Sequence, residues 1–205
     1  MRHISSDRLG ARAAIAVCVV GVAYLPALAA GFAIHGFDEP IDDPVLAVME
    51  ILTVLSAPLL VVVVAAIHDY AAAERKVYGV IALAFTALFA GVTLVVHFIE
   101  LTALRQQHSA GIVWPSPVYA LELLGWDVFL GLGLVFAAHV FSARPDRYVR
   151  RGLLLSGALC LAGTIGPMVG DMRLQRIGVF GYAAVLPVVC FMLARLFRRN
   201  RAVSD

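Results

Sequence analysis

"YALELLGWDVFLGLGLVF", residues 119–136, is almost wholly apolar and yet holds Glu122 and Asp127. Extended by its apolar neighbours, the stretch is long enough to cross the hydrocarbon of a bilayer as a helix. A lone carboxylate in hydrocarbon is costly, because no water is there to solvate it. Two acids five positions apart therefore mark a helix of a bundle, with its carboxylates turned toward partners and not toward lipid.

Five further runs share this character, giving expected spans over 12–34, 45–67, 77–100, 118–141, 152–170 and 177–197. The chain is 61% hydrophobic and only 15% charged, far from the near-even balance of a soluble domain. The expected fold class is all-α: an integral membrane protein folded as a six-transmembrane-helix bundle, one domain over residues 1–205. Between the spans, "HGFDEPIDDP", "HDYAAAERK", "RQQHSAGIVWPSP" and "SARPDRYVRR" read as loops. "GDMRLQR" reads as a tight turn, and Trp114 stands where an interfacial anchor belongs.

The first span invites comparison with a signal peptide. "MRHISSDRLGAR" resembles a basic leader, and "ALAAG" at 27–31 resembles a cleavage site. The apolar run continues through "GFAI", however, so a retained helix is expected, not a segment cleaved near residue 29.

Orientation follows from the cations. Arg2, Arg8, Arg12, Arg75, Lys76, Arg144, Arg147, Arg150, Arg151, Arg195, Arg198, Arg199 and Arg201 fall on one side. Arg105, Arg173 and Arg176 fall on the other. Thirteen against three places both termini in the cytoplasm, N-in and C-in, in a multi-pass protein of the cell (inner) membrane. The basic clusters could also touch anionic lipid, although setting topology explains them. Asp38, Glu39, Asp42 and Asp43 lack EF-hand spacing and read as a solvated acidic loop. A net charge of +2, with cations confined between spans, argues against a nucleic-acid partner. Cys18, Cys160 and Cys190 lie in apolar runs without CxxC spacing, so they read as buried apolar side chains.

Packing signals are weaker. Ala158, Ala162, Gly166 and Gly170 repeat every four residues, a small-residue stripe for close helix approach. Pro26, Pro58, Pro167 and Pro187 lie inside spans, where each removes a backbone donor. No internal repeat is legible.

With orientation set, a rise of about 1.5 Å per residue gives each polar side chain a depth. Glu50 lies about 8 Å in from the outer face, Glu122 about 6 Å and Asp127 about 14 Å. His97 and Glu100 share one face in the last outer turns of the third span, while Asp171 closes the fifth. Tyr119, Glu122 and Trp126 share a face of the fourth span, and Asp127 points about 140° away from Glu122. The expected arrangement is an outward-opening polar pocket between spans two and five. Glu50, His97, Glu100, Tyr119, Glu122, Trp126 and Asp171 are its ligand-binding or proton-handling candidates. Asp127, near the midplane, is assigned to a hydrogen-bonded helix–helix contact.

Three functions fit this pattern. The first is binding or transport of a small or lipid-like ligand, with proton coupling through Glu122 or Asp127. The second is an intramembrane enzyme, with carboxylates and His97 acting as acid and base or holding a metal. Against a metal, "HFIE" is not HExxH and no second His lies at that depth, although His108 sits in the adjoining loop. No GxSxG elbow occurs either. His68 and His139 could be axial ligands of a haem, but histidines at helix ends are commonplace and no second pair exists; the sequence does not identify a cofactor. The third is a non-catalytic membrane subunit or sensor, with a protein partner or further copies of itself. The lipid bilayer is the one partner that the composition itself implies.

Overall fold

The computed structural model describes residues 6–36, 39–107, 113–141 and 146–204, with side chains to residue 199. Arg2, Asp38, His108 and Arg144, and the side chain of Arg201, lie outside the described residues. The described residues form helices and short connections, without strands. Six helices are long and apolar enough to cross a membrane: α1 (Ser6–His35), α2 (Val45–Tyr70), α3 (Ala73–Leu104), α4 (Pro117–Val140), α5 (Arg147–Val169) and α6 (Met172–Arg199).

Every helix outruns its apolar core at one end or both. Hydropathy marks only the hydrocarbon-length part of a helix, whereas Arg, Lys and Glu are good helix formers and continue it. Arg147, Arg150 and Arg151 therefore lie in the first turns of α5, in what reads as loop. The "GDMRLQR" turn is corrected in the same way. The reversal is confined to Gly170, at φ 75°, and Asp171, and the helix resumes at Met172. A left-handed φ suits glycine, which has no Cβ to clash. Asp171 then caps α6, its carboxylate accepting from the Arg173 amide at 3.0 Å.

Other ends are closed by recognisable chemistry. Ser116 caps α4 by accepting from the Tyr119 amide at 3.1 Å, with Pro117 in the first turn. At the C-terminus of α2, Lys76 Nζ donates to the carbonyls of His68 and Asp69, each at 3.0 Å.

Each helix packs on the next in sequence, and α6 returns to α1, closing a ring. At the end bearing both termini the ring is filled by apolar side chains, among them Val63, Ile67, Leu134, Phe141, Leu193 and Phe197. At that end Tyr70 also donates to Asp146 at 2.9 Å. The long seam between α1 and α6 includes two close glycine contacts: Gly10 lies against Phe197, and Gly21 lies against Pro187. Beyond Gly21, toward the far end, α1 and α6 together border an open cavity.

The small-residue stripe is not where the repeat places it. Ala158 is exposed and Gly170 has left the helix. The face of α5 that meets its neighbours carries Ser156, Gly157, Cys160 and Gly163. A Cβ on Gly157 would stand 2.7 Å from the Gly131 carbonyl, and one on Gly163 would stand 2.8 Å from the Gly178 Cα. Backbones approach this closely only where side chains are missing. Gly157→Val should therefore lower the thermal stability of the detergent-solubilised protein by about 1–3 kcal/mol. The neighbouring Ala158→Val, on the exposed face, should leave the melting temperature nearly unchanged; the reverse order would restore the stripe read from sequence.

Candidate functional site

At the end opposite the termini the ring encloses a cavity of about 740 Å³. That lies within the range of sites for drug-sized ligands. Its walls come from α1, α2, α4 and α6, with His97 of α3 at the back and Gly170 and Asp171, between α5 and α6, at the rim. The sequence points instead to spans two through five. Which helices close the ring is a property of tertiary packing, and α1 holds no charged residue within its apolar run to advertise its part.

Six of the candidates line this cavity: Glu50, His97, Tyr119, Glu122, Trp126 and Asp171. His97 Nε2 and Glu122 Oε1 are 2.9 Å apart, with side chains 5% and 11% exposed. The pair joins α3 to α4. Glu50, on α2, is 2% exposed and lies 3.8 Å from the Arg105 guanidinium. Arg105 is itself held by Asp43, through Nε at 2.9 Å and a second nitrogen at 2.5 Å. That hydrogen bond raises the Arg105 pKa above its ordinary value, so Arg105 is a fixed cation here. Asp43 also accepts from the Ala47 amide at 3.2 Å, anchoring the start of α2. Although its carboxylate is half exposed, Asp43 is thus engaged twice, and Glu39 of the same loop lines the cavity.

Glu100 is buried just behind the wall, where its charge acts on Glu50, His97 and Arg105. Thr53 and Ser56 line the cavity but spend their hydroxyls on the carbonyls of Met49 and Thr53, at 2.9 and 2.8 Å. They smooth the wall of α2 without adding donors to it.

Asp127 stands apart from the cavity and is wholly buried where α4, α5 and α6 meet. Its Oδ2 accepts from Gln175 Nε2 at 3.3 Å. The carboxylate fits against the backbone faces of Gly163 and Gly178, where a Cβ on either glycine would strike it. The two carboxylates of the quoted stretch thus serve different centres: Glu122 faces α3 and the cavity, Asp127 faces α5 and α6.

Tyr24, Gln175 and Tyr182 line the wall without being site candidates in the sequence reading, and Arg176 enters that reading only through its charge. Trp126 stands between Phe89 and Tyr182, with ring centroids 4.7 Å from each. The Arg176 guanidinium lies 5.8 Å from the centre of the Phe32 ring, across the gap between α6 and α1. Leu25 of α1 and Phe180 of α6 line the cavity and are also 41% and 60% exposed, so they edge a lateral window.

The residues weighed for a haem sit elsewhere. His139 Nδ1 is 2.7 Å from the Val135 carbonyl of its own helix and its ring packs on Tyr78, while His68 is pressed against Gly79. Among the described residues, no group of three or more His, Cys, Asp or Glu is placed to hold a metal ion.

These contacts give the two carboxylates different expected phenotypes. Asp127→Leu removes the partner of Gln175 inside a sealed, closely packed joint. It should lower thermal stability in detergent by about 1–3 kcal/mol, the range for a lost buried polar partner. An unchanged melting temperature would show that the joint does not depend on the carboxylate.

The chain matches no protein-family model, no curated protein and no solved structure.

Proposed function

We propose that the protein is a six-span membrane protein, N-in and C-in, that binds or transports a small or lipid-like ligand through the cavity. Support for insertion comes from the six long apolar helices. Support for orientation comes from the cations: Arg8, Arg12, Arg75, Lys76 and the clusters at 147–151 and 195–199 belong to the end with the termini. Only Arg105, Arg173 and Arg176 among the described cations belong to the other. In this orientation the cavity opens toward the outer face, and the window between α1 and α6 opens into the outer leaflet. Both termini lie in the cytoplasm.

One observation carries the functional reading: a cavity of about 740 Å³, mostly apolar, on which Glu50, His97 and Glu122 converge from three helices. Such a combination is what a ligand site needs, a shaped apolar volume with a few polar groups to fix orientation. The lateral window admits a molecule that is itself dissolved in the bilayer. Glu122, paired with His97 and facing the cavity, is the group assigned to contact the ligand or hand it a proton.

A second reading rests on the His97–Glu122 contact at 2.9 Å, which has the geometry of an acid–base pair. An enzyme acting on a membrane-dissolved substrate would use it.

Two measurements test these statements. Reporter fusions after residue 112 should read as outside and fusions after residue 147 as inside; the opposite pattern would overturn the orientation. Native mass spectrometry of the purified protein should find a small amphiphile bound near one per chain. In Glu122→Gln, whose amide can still hydrogen-bond His97 and whose melting temperature should therefore stay close to wild type, that occupancy should fall at least tenfold. Wild-type protein free of any bound molecule, and unaffected by added lipid extract, would refute the ligand site. A variant that accumulates a bound molecule which the wild type converts to another would favour the enzyme.

A further inference from the structure

The inner wall of the cavity has an unmet requirement. Glu50 Oε1, Glu122 Oε2 and His97 Nδ1 are buried and have no hydrogen-bonding partner in the protein. All three residues belong to the cavity wall, and Glu50 and His97 are only 2% and 4% exposed. Native proteins rarely leave buried polar atoms in this condition without a reason, because each forfeits the hydration it had in water. A carboxylate oxygen only accepts hydrogen bonds. Two of the three atoms therefore call for a donor.

Charge points the same way. Glu50 feels His97, Glu100, Arg105 and Asp43, and His97 feels Glu122, Glu50 and Glu100. The group thus holds four carboxylates, Asp43, Glu50, Glu100 and Glu122, against Arg105 and His97. Arg105 is already bonded to Asp43, so with all four carboxylates ionised even a protonated His97 leaves the negative charge in excess. Arg173 and Arg176 line the cavity at its rim, at the start of α6, where Arg176 acts on Tyr119, and neither carries the charge of the Glu50–His97 group itself. The surroundings are apolar and aromatic: Tyr24, Tyr119, Trp126 and Tyr182 line the space beside the carboxylates. Aromatic faces attract cations, and more strongly where water is excluded.

We infer that the ligand of this cavity is a hydrophobic amine in its ammonium form, whose N–H groups donate at the wall that carries Glu50 and Glu122 while its alkyl or aryl body fills the apolar volume toward α1 and α6. The inference rests on the reading of the cavity as a ligand site and names the chemistry of what enters it. An anionic amphiphile would meet the excess carboxylates, and a neutral one would leave the charge uncompensated. An ammonium supplies both the donors and the charge. Its apolar body accounts for entry through the window edged by Leu25 and Phe180.

Three probes of nearly one shape separate the alternatives: phenylbutylammonium, phenylbutanol and phenylbutanoate, added to the full-length protein in lipid nanodiscs. Binding is read from the rise in melting temperature and from quenching or shift of tryptophan fluorescence. The ammonium should bind at least tenfold more tightly than the alcohol, a difference of about 1.4 kcal/mol. The carboxylate should bind more weakly still. Glu50→Gln and Glu122→Gln should each erase the preference for the ammonium and leave the alcohol's affinity nearly unchanged. The wild-type comparison needs no variant, so it stands even where a substitution prevents folding. Equal binding of ammonium and alcohol would overturn the inference and keep the cavity as a ligand site. Preference for the carboxylate would overturn it in favour of recognition by the rim arginines. Binding of none of the three would count against the inference and the ligand site together.

Discussion

The contact between His97 and Glu122 is the condition on which the polar half of the bundle rests. Both side chains are buried in a ring of apolar helices, where an ionisable group without a partner is costly to keep. The bond fixes α3 against α4 at the height where the ring begins to open. Glu100 lies one turn from His97 on α3, and Glu50 reaches the same centre from α2 with Arg105 behind it. Take the His97–Glu122 bond away and three carboxylates would face one another with one guanidinium, itself engaged by Asp43, to hold them. The apolar end has no comparable constraint. Leucine, valine, phenylalanine and alanine fill it by volume, and most of its residues could be exchanged for others of similar size.

Three stretches of π-helix border this centre: Glu100–Leu104 in α3, Leu124–Leu130 in α4 and Phe180–Val185 in α6. A π turn inserts an extra residue and rotates whatever follows it, and such turns recur at functional sites. Here they carry Glu100, the Trp126–Asp127 pair and Tyr182. The irregular backbone is supported from outside, since Ser156 of α5 donates to the Gly181 carbonyl at 2.8 Å. Glycines supply the space: Gly131 against Gly157, and Gly163 against Gly178, bring α4, α5 and α6 into backbone contact around Asp127. Around Asp127 the backbones are in contact, whereas the outer half of the seam between α1 and α6 borders the cavity.

What can be read from the residues themselves is the number of helices and the polar groups that would be costly to leave unpaired. A Glu or His in an apolar run stands out, so Glu50, His97, Glu100, Glu122 and Asp127 are all visible in the chain. Tyr24, Gln175 and Tyr182 are not, because an uncharged phenol or amide fits a membrane helix without seeming out of place. Helix ends are misjudged wherever arginines follow an apolar run, as at Arg147 and Arg173. Of the fourfold repeat Ala158, Ala162, Gly166 and Gly170, Gly166 does meet the backbone of the next helix, at Gln175, while Ala158 is exposed and Gly170 lies past the helix; small residues are common enough in such helices to align by chance. The π turns and the return of α6 to α1 leave no periodic trace. The side-by-side place of α1 and α6 is decided by how six helices fill a ring, not by either helix alone.

The two polar centres are separate but not independent. Asp127 is sealed among glycines, while Glu50, His97 and Glu122 face a cavity. Gln175 belongs to both: its amide donates to Asp127, and the same side chain lines the cavity, with the Tyr182 hydroxyl 3.5 Å away. Tyr182 packs in turn on Trp126, which is one residue from Asp127 along α4. A molecule filling the cavity must therefore touch side chains whose other contacts hold α4 to α6. The joint around Asp127 has little room to adjust, because its glycines already allow backbone contact. On the other side, α1 meets α6 at Gly21 and Pro187 and again where Arg176 lies over the Phe32 ring, with the cavity between. The glycines thus set how closely the helices meet: paired across α4, α5 and α6 they bring backbones together around Asp127, whereas Gly21 of α1 and Gly31 beyond it meet side chains, Pro187 and Ile41, at the border of the cavity.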